Sequence, residues 1–245
     1  MVRSVLPAVL TIVLLVVLVQ FLIPEFHIPQ VILPLPSVVF SRIFASNIPW
    51  LSHLYVTLYE ALGGFFLAVI LGIPLAMAIY LSRPLGVVVE PIILAAQVAP
   101  KIVLVPILFL WLGFAPLPRV LTVFLLCFFP IVIDTRTGLA SVEPDMVEMV
   151  KSFNSSRLEL LRKVSFPTAL PSIFSGLKIS ITLAMLGAVV AEFVSSSSGL
   201  GYLILSSQAT LDTALAFASI VVLVAISLVL YGLVLLAEEL VITWR

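Results

Sequence analysis

Charge is what this chain has least of. Only 10% of its 245 residues are Asp, Glu, Lys or Arg, and the two signs cancel to a formal net charge of zero. An ordinary soluble domain carries roughly 25%. The balance excludes a global basic footprint for nucleic acid. Cysteine is almost missing: Cys127 has no partner for an intrachain disulfide and lies in an apolar run, as a small packed hydrophobe does. The two histidines, His27 and His53, lack Cys or acidic companions at ligand spacing, which argues against a metal site. There is no Gly-x4-Gly-Lys-Ser/Thr phosphate loop, so the chain cannot hydrolyse ATP itself. Nor is there an intramembrane His cluster, an Asp-Asp pair or a Gly-x-Ser-x-Gly turn, which argues against a membrane-embedded enzyme. Internal repeats are absent, and low complexity is confined to Ser195–Ser198.

What is present is apolar surface: 62% of residues are hydrophobic and the mean hydropathy is +1.33. Six stretches, 5–23, 54–81, 86–112, 119–135, 170–194 and 213–241, are long enough to cross about 30 Å of hydrocarbon. The pattern predicts an all-α polytopic membrane protein forming one domain over 1–245. Residues 1–50 hold the first span and an external interfacial segment, and 51–245 hold a five-helix core with a loop at 136–167. The first run follows Arg3 as in a signal peptide, but it is too long and no small-x-small site ends it, so it reads as a retained span. Gly63, Gly64, Gly72 and Pro74 interrupt the second span, and Pro100 and Pro106 the third. Two readings stay open for them: packing through small residues, or kinked helices lining a pathway. Between the first two spans, the proline-rich stretch 24–49 contains an amphipathic segment from Ser37, a plausible cap, to Phe44. It is expected to lie against the membrane.

Orientation follows from Lys and Arg. With the N-terminus inside, Arg3, Arg83, Arg136, Lys151, Arg157, Arg162, Lys163 and Arg245 are cytoplasmic, against Arg42 and Arg119 outside. Eight against two is a positive-inside bias, and it places both termini in the cytoplasm.

The cytoplasmic charge concentrates between the fourth and fifth spans. Pro144 suits a first helical position, and Asp145 and Glu148 put negative charge near the helix N-terminus. Met149, Val150 and Phe153 form a short apolar face. Asn154 suits a left-handed stop, and Ser156-Arg157-Leu158-Glu159 is a capping box. Pro167 and Pro171 mark the passage into the fifth span. Two short helices meeting at a sharp turn are expected, either as a docking element or as a loop packed on its own membrane domain.

In spacing, the loop resembles the EAA motif of ATP-binding-cassette importer permeases, E-A-A-x3-G-x9-I-x-L-P. This chain reads Glu148-Met149-Val150, three residues, Asn154, nine residues, then Val164-Ser165-Phe166-Pro167. Met149 and Val150 replace the alanines and enlarge the apolar face; Asn154 replaces the glycine. Leu33-Pro34-Leu35-Pro36-Ser37, Pro100-Lys101-Ile102 with Pro106 and Trp111-Leu112-Gly113, Phe128-Phe129-Pro130, and Gly199 to Ile204 resemble further segments of the family. The resemblance is to the nitrate, sulfonate, taurine, thiamine-precursor and riboflavin permeases, and Pro100-Lys101 and Glu192-Phe193-Val194 lean toward the heterocyclic end. It implies a type I importer (MetI-like) fold with coupling helices, in a bacterial or archaeal cytoplasmic membrane. It also implies a second permease copy, an ATPase dimer that holds ATP and Mg, and an extracytoplasmic solute-binding protein. No cofactor is implied in this chain. The residues matching the docking loop are Glu148, Met149, Val150, Phe153, Asn154, Ser156, Arg157, Glu159 and Pro167.

Ionisable residues inside spans are functional candidates by default. Glu60, Lys101 and Glu192 stand out, with Gln97 one turn before Lys101. Their helices converge on a pathway in one reading, with Lys101 balanced by a carboxylate. In the other they are packing ion pairs, or, for Glu192, a residue at the wet interface. Lys178 is expected to snorkel and Glu90 to be interfacial. Ser195–Gly201 reads as a flexible external loop, touching the binding protein, forming an outer gate, or merely connecting.

Overall fold

The computed structural model describes residues 2–45 and 47–244, apart from the side chains of residues 2–6, 8, 9 and 151. Of the charges used for orientation, Arg245 and the side chains of Arg3 and Lys151 lie outside the described residues. Helix α1, Val2–Glu25, contains the expected first span. Helix α2, Pro36–Ile43, is the expected amphipathic segment, but Ser37 does not cap it. Pro36 already takes the first position, and the Ser37 N–H is satisfied by the side-chain oxygen of Gln20 on α1, at 3.0 Å.

Helix α3, Trp50–Leu81, runs unbroken for 32 residues, about 48 Å. The expected interruption at Gly63, Gly64, Gly72 and Pro74 does not occur. A membrane helix has no water to reward breaking its backbone bonds, and Pro74 removes just one of them. The third expected span does break. Helix α4, Arg83–Val98, is followed by a 3-10 turn, Lys101–Leu104, and helix α5, Val105–Leu112, with an 87° bend between the two arms. Pro100 is the cause: Ala99 before it is extended, at φ −61° and ψ 137°, as the residue preceding a proline prefers.

Helix α6, Pro116–Ala140, leads to α7, Pro144–Ser152. After the turn come α8, Arg157–Leu160, a π-turn, Leu161–Ser165, and α9, Phe166–Ser195. The last three form one continuous helix of 39 residues, so the expected second short helix is instead the opening of the fifth span. The π-turn explains how the helix passes Pro167: the Phe166 N–H reaches back five residues to the Leu161 carbonyl, absorbing an extra residue where a proline would otherwise break the ladder. Helix α10, Leu200–Ala209, is short, and α11, Thr213–Val241, is capped by the Asp212 carboxylate, which accepts the Leu215 N–H at 3.1 Å.

Among the described residues, four helices are long and apolar enough to cross a membrane: α3, α6, α8–α9 and α11. The bent pair makes a fifth, and α1 adds the shorter apolar stretch Leu10–Glu25. Six is reached only when those two are also taken as spans.

The centre of the fold is α6, packed between α3 and α9 over the two most extensive interfaces in the molecule. Ala61, Ala68, Val123, Cys127, Ala184 and Ala188 are buried there. Cys127 does more than fill space: its Sγ donates to the Ser180 carbonyl (3.1 Å) while Ser180 Oγ donates to the Cys127 carbonyl (2.9 Å), bridging α6 and α9. Lys178 does not snorkel. It pairs with Glu238 at 2.9 Å and fastens α11 to α9. At Gly64, a Cβ would lie 2.4 Å from Val123 Cβ and 2.6 Å from the Val120 carbonyl oxygen, so only glycine permits the α3–α6 approach. Gly64→Val should therefore force the helices apart and cost about 1–3 kcal/mol or more. A lower melting temperature of the purified protein in detergent checks this, and an unchanged one refutes the packing argument.

Candidate functional site

The expected docking loop forms as a capped helical turn. Asp145 sits in the first turn of α7. Met146, Met149 and Phe153, spaced i, i+3 and i+7, are exposed on one side, Met149 at 56% and Phe153 at 77%. Val150 turns partly inward, so Met146 takes the place assigned to it in the apolar face. Met146 was legible from helical spacing and was missed. Glu148 is exposed beside that face. Asn154 adopts φ +57°, the left-handed stop expected of it. The capping box is complete: Ser156 Oγ accepts the Glu159 N–H at 3.2 Å and Glu159 Oε2 accepts the Ser156 N–H at 2.9 Å. Arg157 donates to the Leu81 carbonyl at the end of α3 (3.3 Å), and Leu161 packs with Leu139, Ala169 and Ile173. The loop is thus pinned at its base and open at its face. Pro167 is part-buried within the continuous helix and is a structural residue rather than part of that face.

The pathway candidates separate into two groups. Lys101 and Gln97 lie at the α4–α5 bend, where Lys101 Nζ donates to the Gln97 carbonyl (3.0 Å) and stands 4.7 Å from the centre of the Phe129 ring. The expected carboxylate is not there: among the described residues Lys101 forms no ion pair. Gln97 is exposed. The arm carrying them is held to α6 by Glu90, which pairs with Arg136 at 2.5 Å, and by Ile93 packed with Ala76, Ile79 and Val132.

Glu60 and Glu192, by contrast, are each 1% exposed and belong to a buried cluster at the ends of α3, α6 and α9. Glu60 Oε1 accepts from Arg119 Nη1 at 2.6 Å, and Arg119 also donates to Ser196 Oγ at 3.0 Å. Glu192 accepts the Thr57 hydroxyl (2.5 Å) and the backbone N–H groups of Gly201 (2.5 Å) and Tyr202 (3.3 Å). His53 Nδ1 accepts the Gly199 N–H at 3.0 Å and Thr57 Oγ1 accepts the Leu200 N–H at 2.9 Å. Glu192 is therefore not at a wet interface, and the Ser195–Gly201 loop is strapped down rather than flexible. Gly199, at φ +113°, lies so near the carboxylate that a Cβ would sit 2.3 Å from it. Carboxylate, arginine, threonine and histidine form one hydrogen-bonded network, the polar arrangement that makes a buried charge tolerable. Arg119, Thr57 and His53 were not singled out, because their partners lie 59 to 146 positions away in sequence. Arg42, the other arginine expected outside, pairs with Asp212.

Residues 64–242 match the family model described as "Binding-protein-dependent transport system inner membrane component". A probable ABC transporter permease protein of Haemophilus influenzae is 37% identical, covering 83% of each chain. The riboflavin transport system permease protein RibX of Chloroflexus aurantiacus is 36% identical over 89% of this chain and 82% of its own. A putative aliphatic sulfonates transport permease protein, SsuC of Bacillus subtilis, is 31% identical over 79% and 70%. Among solved structures, the methionine ABC transporter MetNI, in inward-facing conformations, matches at TM-score 0.68 and 17% identity over 80% of this chain and 99% of that one, which establishes a shared fold. With nearly three quarters of its length inside the family model and its helices in the MetNI arrangement, the chain belongs to the binding-protein-dependent inner membrane components, the permease subunits of ABC importers.

Proposed function

We propose that two copies of this permease form the translocation unit of an importer, with α7 seated on a partner ATPase that holds ATP and Mg, and an extracytoplasmic solute-binding protein delivering a small organic compound. Both termini lie in the cytoplasm in this reading. The observation that carries it is the docking loop: an exposed Met146–Met149–Phe153 face on a base pinned to α3 and continuous with α9. A face of this kind matches helix-in-groove recognition. Its continuation, 39 residues or about 58 Å, runs from the docking site to the Glu192 cluster. Closure of the ATPase pair would therefore be carried across the membrane as rigid-body motion, biasing inward- against outward-open states.

For the substrate, the reading is a heterocycle of the flavin or pyrimidine-precursor type, supported by the 36% identity to RibX. Nitrate, sulfonate or taurine is the second reading, favoured by the similarity to SsuC and by a lysine without a carboxylate partner at the α4–α5 bend. Uptake assays with flavins, pyrimidines, sulfonates and nitrate decide between the two.

Two outcomes are expected. Met149→Glu with Phe153→Glu should lower the affinity for the ATPase at least about tenfold, or ~1.4 kcal/mol, as read by co-purification. Retention of full co-purification would refute docking through this face. Lys101→Met should reduce uptake to below about a tenth by removing the Lys101 charge from the bend, while assembly with the ATPase is unchanged. Preserved uptake would remove Lys101 from the pathway.

A further inference from the structure

Beside the buried cluster lies a cavity of about 360 Å³ lined by Tyr55, Val56, Tyr59, Glu60, Pro116, Arg119 and Ser198. Its floor carries an imbalance. Of the two buried carboxylates of the cluster, Glu60 lines the cavity and pairs with the Arg119 guanidinium, while Glu192 behind it has no ion pair of its own among the described residues. His53 supplies no charge, because its Nδ1 accepts the Gly199 N–H and the ring is therefore the neutral Nε2–H tautomer. Glu192 is met by three donors, whereas Glu60 Oε2 and Arg119 Nε are buried with no partner among the described residues. Buried polar atoms are rarely left this way. A proton on Glu60 Oε2 would remove the charge but leave an O–H with the same lack of a partner.

The mouth of the cavity has the opposite character. Tyr55 and Tyr59 are exposed, with ring centroids 6.5 Å apart in a stacked arrangement. Aromatic faces at the mouth of an electronegative cavity suit an organic cation. The volume is many times that of a desolvated metal ion, and among the described residues no three His, Cys, Asp or Glu side chains gather to hold one. Arg119 is in the first turn of α6 and Ser198 is in the α9–α10 loop, so in the orientation proposed above the cavity sits at the outer end of the helices.

We propose that this cavity is the docking pocket for a lysine or arginine side chain of the extracytoplasmic solute-binding protein. The incoming cation would lie between the tyrosine rings and donate to Glu60 Oε2, and a carbonyl of the backbone carrying it would accept from Arg119 Nε. Because Ser196 and Gly199 of the α9–α10 loop are bonded to Arg119 and His53, occupancy at the pocket would be felt at the start of α10. The inference rests on the importer reading given above.

The test titrates the assembled permease–ATPase complex in nanodiscs with its solute-binding protein. Ser198→Lys supplies the pocket with its own ammonium, and Ser198→Gln matches its bulk without charge. Affinity should fall at least about tenfold for Ser198→Lys and less than about threefold for Ser198→Gln. Tyr55→Lys repeats the charge test from the exposed mouth without touching the strapped loop, and should also weaken binding about tenfold. Gel filtration with the ATPase is the control for folding. Wild-type affinity in both lysine variants, or an equal loss with Ser198→Gln, overturns the proposal. So does thermal stabilisation of the wild-type complex by KCl over N-methylglucamine chloride that both lysine variants lose while still binding the protein normally, since the occupant is then a solution cation. Failure of the binding protein to engage even the wild-type complex would instead refute the importer reading.

Discussion

Everything in this fold hangs on how closely α6 can approach α3 and α9. In lipid, apolar side chains gain little by leaving the solvent, so helix association rests on close van der Waals contact and a few buried hydrogen bonds. Gly64 and the alanines at 61, 68, 184 and 188 supply the first, and the reciprocal Cys127–Ser180 bonds supply the second. The outcome is a three-helix body that other elements join through apolar packing and ion pairs. Glu90–Arg136 holds the α4–α5 arm, Lys178–Glu238 holds α11, and Arg42–Asp212 ties α2 to the end of α11.

A rigid body with clamped appendages is what alternating access requires, since a carrier must change shape without losing its core. The proline break at Ala99–Pro100 lets the arm bend by 87° and presents Lys101 at the bend. At the other end, the π-turn lets α8 and the fifth span share one helix past Pro167, with α7 set off from it by the Asn154 turn. The same helix ends at Glu192, whose carboxylate gathers the backbone of the α9–α10 loop.

Much of this was legible locally. Asn154, the Ser156–Glu159 box, Pro144 and the break at Pro100 are signals carried within a few residues, and each formed as read. What failed depended on distant partners. Ser37 looked like a cap until Gln20 of α1 took its N–H. Pro167 looked like a boundary because a sequence window does not reveal a π-turn. Of the two readings open for the glycines and Pro74 of α3, Gly64 bears out packing through small residues, in a helix that runs without a break. Helix α10 was not anticipated, since its start is set by the strapping of Gly199 and Gly201 around Glu192.

The intramembrane charges teach the sharper lesson. The rule that an ionisable residue in a span marks function treated Glu60, Lys101 and Glu192 alike. Their surroundings divide them: Glu60 and Glu192 sit in a built network with Arg119, whereas Lys101 spends its hydrogen bond on its own chain and otherwise faces a ring. A charge held in a built network is costly to disturb, because removing one partner strands the others. A charge resting on a carbonyl and an aromatic face gives up little when something passing offers a better partner. By that criterion Lys178 belongs with the clamps, whereas Lys101 has no carboxylate holding it among the described residues.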